Sequence, residues 1–398
     1  MKKIIYFVVI FLLISLIVLA IRFLTHSYKI ELIGKDSIVI NVNSEYKDEG
    51  ARVTDKGKIV KNYTTLNNVN TSEIGTYEVI YKIKNAEKRR IIKVVDNEKP
   101  VIKEKDKKYH IKGKKMDLSS LIEVTDNYDK NLIDKVKISD NFNPNKEGKY
   151  NVTYTVSDSS NNEAIIKSTI YVQDKDTNGI PVLMYHWFYD DTKGEKPGER
   201  NSHNFISKTE FEKQMKYLKE SNFYYPTWQE LIDYIDGKID LPKKSIILTD
   251  DDCVQSFFDV ALPVFQKYEV PFTSFCITKK GNWQKYVGEK YLTFESHTNN
   301  LHQRICKGSW DGAVMCKNYD TVYSDLKTSI EKVKNTDSFA YPFGHYNNNT
   351  IKALKENGIK LAFTISDGQV KKGANKYKLP RVRISSWTSL STYKNLIK

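Results

Sequence analysis

From Gly179 onward, strand-like runs alternate with helix-like runs, and the polar residues gather where the strands end. "IPVLMYH" is a continuous apolar run closed by His186, as a strand buried on both faces requires. "SKTEFEKQMKYLKESN" follows, with Phe211, Met215 and Leu218 at helical spacing and Ser207 placed to cap it. Strand "SIILTDDD", helix "FFDVALPVFQKYE", strand "FTSFCIT", a loop bearing "ESHTNNLH", helix "YSDLKTSIEKVKN", strand "SFAYPFG", helix "NTIKALKENG" and strand "KLAFTIS" complete the series. Alternation with short connections predicts a parallel sheet covered on both faces, and in a βα barrel the chemistry sits at the carboxyl ends of the strands. His186, the aspartate run 250–252, the histidine loop and "YPFG" all fall at such ends.

Those clusters carry a specific chemistry. One aspartate of the run with His297 and His302 supplies one oxygen and two nitrogen ligands, a set that holds a divalent metal and leaves positions open. Five residues apart, the two histidines share neither a helix face nor a strand face, so a loop must curl them together. A metal so held polarises a carbonyl and lowers the pKa of water. A second carboxylate then serves as base, and a histidine opposite serves as acid to a leaving amine. These are the parts of an amide hydrolase.

The N-terminal half is of another kind. Lys2 and Lys3 precede an apolar run from Ile4 to Ile21, closed by Arg22. Its length corresponds to roughly 27 Å of helix, close to the hydrocarbon thickness of a bilayer. Residues 1–24 therefore read as an uncleaved single-pass anchor in the cell membrane, with the chain beyond Arg22 outside. A cleaved signal fits less well, because the run is long and "VLAIRFLTHS" is a poor cleavage site. The localisation expected is the surface of a Gram-positive bacterium. Next, "GTYEVIYKIKN" is echoed by "GKYNVTYTVSD". Each is a glycine turn leading into period-two alternation, with Tyr77, Val79, Tyr81 and Ile83 on one face and Tyr150, Val152, Tyr154 and Val156 on its equivalent. This predicts two small all-β sandwiches, over 29–97 and 98–174, acting as a spacer. Asp126, Asp129 and Asp158 offer calcium ligands, but turn aspartates more often satisfy local backbone donors. The formal net charge of +14 favours polyanions. Outside the membrane that means headgroups or anionic wall polymers rather than nucleic acid. Outside the membrane the four cysteines can form disulfides: Cys306 and Cys316 can close a short loop, Cys253 and Cys276 can equally stay buried thiols, and spacing does not fix the connectivity.

With these residues in view, 180–386 resembles the polysaccharide deacetylase family, nearest the poly-N-acetylglucosamine branch. "LTDDDC", "SHTNNLH" and "FAYPFG" match its three motifs, and residues 29–173 resemble bacterial immunoglobulin-like repeats. The resemblance implies a distorted β/α barrel over 179–398. It makes Asp251 the general base, His186 the general acid, Asp252, His297 and His302 the metal ligands, and the amide of Phe343 an oxyanion donor. Zinc is the metal expected, with cobalt, nickel and manganese compatible with the same ligands. Asp250 and Cys253 replace the family's phenylalanine and glycine, and Ala340 stands where many relatives have the arginine that tethers the base. Asp250 thus adds a third carboxylate, able to shift or exchange the roles of its neighbours. Asp367 is a candidate to orient His186. His345 is a candidate substrate contact or substitute acid, although a surface residue is the simpler reading. Trp187 and Trp310 are candidates to stack on sugar rings. The expected reaction is removal of N-acetyl groups from N-acetylglucosamine units of peptidoglycan or poly-β-1,6-N-acetylglucosamine, releasing acetate. Its rivals are a glycan-binding surface protein that has lost turnover and an O-acetyl esterase on the same fold.

Overall fold

The computed structural model describes residues 2–24, 26–105, 108–198 and 202–398. They fall into two compact units. One comprises Met1–Asp106, Asp117–Asp140 and Asn151–Ser168, the other Lys107–Met116, Asn141–Tyr150 and Thr169–Lys398.

The first unit opens with a helix, Lys2–Leu24. Every side chain described in it, from Tyr6 to Ile17, is exposed, although all but Ser15 are apolar. Among the described residues no helix is long and apolar enough to cross a membrane. The lysines and the arginine that would flank an anchor lie outside the described side chains. The β structure beyond is antiparallel where the repeats are. Strand Gly75–Ile83 pairs with Ala86–Val95 through a tight turn, and strands Ser37–Asn41 and Thr64–Asn67 extend the sheet on either side. Val79 and Tyr81 turn inward with Ile92 and Val94, so the two-residue period becomes a core. In the second repeat Val152, Tyr154 and Val156 are buried in the same alternation.

In the second unit seven strands close a barrel, every pairing parallel. They are β1 (Val182–Tyr185), β2 (Ile247–Asp251), β3 (Phe272–Cys276), β4 (Leu292–Ser296), β5 (Ser338–Ala340), β6 (Leu361–Asp367) and β7 (Leu379–Arg383). β7 returns to pair with β1 at Leu183 and Met184. All residues of β1, β2 and β3 are buried, as in a parallel sheet covered on both faces, and β1 accordingly reads as an unbroken apolar run. The helix Lys208–Glu220 is capped by Ser207, whose hydroxyl accepts the Glu210 N–H, and it buries Phe211, Met215 and Leu218. "FFDVALPVFQKYE" departs from expectation: Phe257–Ala261 winds as a π-helix, and the α-helix covers only Leu262–Lys267. Pro263 has no N–H with which to close an ordinary turn.

Candidate active site

β2 carries two consecutive aspartates to the barrel rim. Arg381, fully buried on β7, meets Asp251 with both arms of its fork, Nη1 to Oδ1 and Nη2 to Oδ2, each at 2.7 Å. Its Nε donates to the Thr364 carbonyl at 3.1 Å, which fixes the plane of the guanidinium. Burial pushes the Asp251 carboxyl up, but the arginine charge and hydrogen bonds outweigh it and hold the group ionised well below the usual carboxylate range. Sequence reasoning missed this arginine. It looked for a tether at Ala340 on β5, whereas the guanidinium arrives from β7.

The chain then turns sharply, with Asp252 at φ +79° and Cys253 at φ +48°. Cysteine therefore occupies a left-handed conformation that glycine adopts freely, at a cost of about 1–2 kcal/mol. The thiol is not free: Cys253 is joined to Cys276 on β3, Cα to Cα 4.9 Å, and Cys306 to Cys316. Of the two alternatives open for Cys253 and Cys276, a disulfide or buried thiols, the structure has the disulfide, which pins the turn to the neighbouring strand. Asp250 lies on the opposite face of β2 from Asp251, where its Oδ2 accepts the Ser274 hydroxyl at 2.7 Å. Burial drives its pKa well above the ordinary value, which disfavours a third charge beside Asp251 and Asp252.

The histidine loop leaves β4 at His297. The His297 Nδ1–H donates to the Ala340 carbonyl at 2.7 Å, which directs Nε2 toward Asp252 Oδ1 at 3.7 Å. His302 Nε2 stands 3.3 Å from the same oxygen. Burial, and for His297 the neighbouring His302, keeps both rings neutral, with His297 near pKa 4. Asp325, on the helix Tyr319–Val333, accepts the N–H groups of Asn299 and Asn300 at 2.8 and 2.9 Å and so holds the curl of the loop. That clamp was also missed.

Asp252 Oδ1 is buried and accepts no hydrogen bond. One ligand atom from each of Asp252, His297 and His302 lies within 4.8 Å of the others. A buried orphan carboxylate oxygen facing two neutral imidazole nitrogens fits a divalent cation. His186 stands across from them, its Nε2 4.0 Å from Asp251 Oδ2. Burial lowers its pKa against the pull of the two aspartates. Its Nδ1 has no hydrogen-bond partner, and Asp367 is exposed at the end of β6, so Asp367 does not orient it. Phe343 adopts φ +58° and lies on His302, ring centroids 4.3 Å apart. His345 Nδ1 accepts the Gly312 N–H at 3.0 Å, a loop-packing role. Trp187 lines a cleft of about 430 Å³ with Asp252, Lys279, Lys280 and His302. Trp310, 84% exposed and beside Arg304, is not among the residues lining that cleft.

A tethered carboxylate, a separate Asp-His-His set and a facing histidine at the rim of a parallel barrel define a metal-dependent hydrolase. The comparisons agree. A polysaccharide deacetylase family model matches residues 238–362, and one for the Ig-like domain of bacterial surface proteins matches 30–94 and 106–172. Over 221 residues, 50% of this chain and 74% of the relative, the chain is 33% identical to a poly-beta-1,6-N-acetyl-D-glucosamine N-deacetylase of Staphylococcus epidermidis. The protein of the same description from Staphylococcus aureus is 29% identical over 212 residues, 48% of this chain and 71% of that one. The structure of IcaB from Ammonifex degensii superposes with a TM-score of 0.48 at 24% identity, covering 56% of this chain and 98% of that one. The chain belongs to the polysaccharide deacetylase family, behind N-terminal Ig-like domains.

Proposed function

We propose that this enzyme removes acetyl groups from the N-acetylglucosamine units of an extracellular poly-β-1,6-linked glycan. The observation that carries the reading is the pairing of a base locked by Arg381 with the orphan oxygen of Asp252 between two neutral histidines. Asp252, His297 and His302 would hold the cation, most simply zinc, which when bound polarises the acetyl carbonyl and acidifies the attacking water. Asp251 takes the proton from that water. Because Arg381 keeps its proton affinity low, Asp251 passes the proton on, and His186, 4.0 Å away, delivers it to the departing amine. The Phe343 amide, in its left-handed turn, is the proposed donor to the developing oxyanion. Trp187 forms an aromatic wall for a sugar ring.

The β-1,6 linkage rests on the names of the staphylococcal relatives. The exposed apolar side chains between Tyr6 and Ile17 support a membrane anchor over 1–24, with two spacer modules over 29–97 and 98–174 and the catalytic domain over 179–398. The test is acetate release by the full chain from β-1,6 and β-1,4 N-acetylglucosamine oligomers, with zinc, with chelator and as Asp251→Asn. Release from the β-1,6 oligomer that needs metal and Asp251 is the expected result. Equal or faster release from the β-1,4 oligomer would overturn the linkage assignment. Zinc-independent release, or full activity of Asp251→Asn, would overturn the mechanism.

A further inference from the structure

The Ig-like unit holds a second group of metal-ligating side chains, far from the catalytic residues in sequence. One carboxylate oxygen from each of Asp96, Asp126 and Asp129 lies within 4.8 Å of the others. Asp96 follows strand Ala86–Val95 of the first matched Ig-like stretch, while Asp126 and Asp129 sit in the loop after strand Ile122–Thr125 of the second.

Acidic clusters on surfaces are common and mean little, but this one reaches inward from a partly buried rim at Asp126 and Asp129 to a buried aspartate. Asp96 is only 4% exposed. Its Oδ1 accepts the Glu98 N–H and the Asn127 side-chain amide at 3.1 Å each, whereas its Oδ2 is buried and accepts nothing. Asp126 repeats the pattern: Oδ1 takes the N–H groups of Tyr128 and Asp129, and Oδ2 is buried without a partner. The Asn127 Oδ1 is a third buried acceptor left unmade. Leaving such oxygens unsatisfied costs free energy, so the orphan carboxylate oxygens of Asp96 and Asp126 call for a positive partner. Lys135 Nζ, 3.8 Å from Asp129 Oδ1, puts one charge at the rim against three carboxylates. By contrast Asp158, named with Asp126 and Asp129 from sequence, spends both oxygens locally on Ser160 and Asn162.

We propose that Asp96, Asp126, Asn127 and Asp129 form a calcium site that locks the junction of the two Ig-like modules. Every available donor atom is a carboxylate or amide oxygen, which selects a hard cation over zinc. The joint is already stitched around this point. Asn162 Nδ2 donates to the Asp96 carbonyl at 3.1 Å, Asn43 Nδ2 donates to that of Asn127 at 2.9 Å, and Ser159 donates twice to Asp129 Oδ2. A cation shared by the segment leaving one module and a loop of the next stiffens the spacer that carries the catalytic domain.

The test is a calcium titration of the full chain in detergent, stripped of calcium and saturated with zinc so that the histidine site is filled. Wild type is expected to bind one calcium per chain, with Kd in the range of extracellular modules, about 10⁻⁴–10⁻³ M. Asp96→Asn and Asp126→Asn keep the Oδ1 acceptors and lose the charge, so each should weaken binding at least tenfold while zinc-dependent acetate release is unchanged. Unfolding of the Ig-like unit gives a second readout. Calcium should raise the wild-type midpoint but not that of Asp96→Asn. Without calcium the variant should be at least as stable as wild type, because one of three mutually repelling carboxylates is gone. No calcium binding by wild type at about 10 mM, well above that range, would overturn the proposal. So would an Asp96→Asn protein destabilised equally with and without calcium, since that marks a purely structural aspartate.

Discussion

Replacing Arg381 by methionine keeps an unbranched chain in the barrel and removes the charge that Asp251 depends on. Asp251 is 2% exposed, and the fork supplies two hydrogen bonds of 2.7 Å and a full positive charge. Stripping one partner from a buried ion pair costs roughly 3–5 kcal/mol, most of it the price of leaving the other charge unpaired. At 1.36 kcal/mol per pH unit, that corresponds to a rise of about two units or more in the Asp251 pKa. The sign follows from the causes: with Arg381 gone, burial is the dominant remaining influence, and it favours the protonated form. In wild type the depressed pKa contributes stability above the unfolded value of about 3.9 and loses it as pH falls through the folded value. The variant gains no such stability. Urea midpoints of the two proteins should therefore differ most at pH 7 and converge below about pH 4. The acid limb of kcat/KM, measured with saturating zinc, should move up by about two pH units. Arg381→Lys should recover part of the stability but not the two-armed geometry. An acid limb that stays in place in Arg381→Met, with activity merely scaled down, would refute the claim that Arg381 sets the charge of the base.

The other predictions concern what surrounds the site. Asp325→Ala frees the Asn299 and Asn300 amides that hold the histidine loop and should weaken zinc binding by about tenfold, read by competition with a chromophoric chelator. Changing Cys253 and Cys276 together to serine removes the cross-link behind Asp252 and should lower stability by about 3 kcal/mol in denaturant titration. In the first Ig-like module Arg90 is fully buried and bonded to Asp48, so Asp48→Ala should cost about 3 kcal/mol, the low end because Asp48 is itself 16% exposed. Burial raises the Asp48 pKa, but the hydroxyls of Tyr81 and Tyr46, the Gly50 amide and Arg90 lower it further than burial raises it. Its contribution should thus be present above about pH 4 and fade as pH falls. A difference between Asp48→Ala and wild type that is constant from pH 7 to pH 3 would contradict this.

What the sequence disclosed and what it hid separate along one physical line. Asp251, Asp252, His297 and His302 were legible because they sit at, or in the loop just after, the ends of two strands, and a strand end is a local property of the chain. The alternation of Val79 with Tyr81, and of Val152 with Tyr154, was legible for the same reason. Arg381 was not. "LPRVR" is an ordinary strand by its own residues, and nothing in it points to an aspartate 130 positions earlier. The barrel explains why looking at Ala340 was the wrong test. Side chains from β5 and β7 can reach the same rim, so the tether can move from one strand to another while the guanidinium still arrives at the base. Ala340 keeps a role through its backbone, whose carbonyl orients His297. Asp96 was hidden likewise: the aspartates of one turn invite grouping by proximity in sequence, yet Asp158 bonds to its own turn while Asp96 approaches from another strand's end. Residues whose role depends on the adjacent backbone can be read in order. Those whose role depends on closure of a barrel or meeting of two modules become readable only once the closure is known.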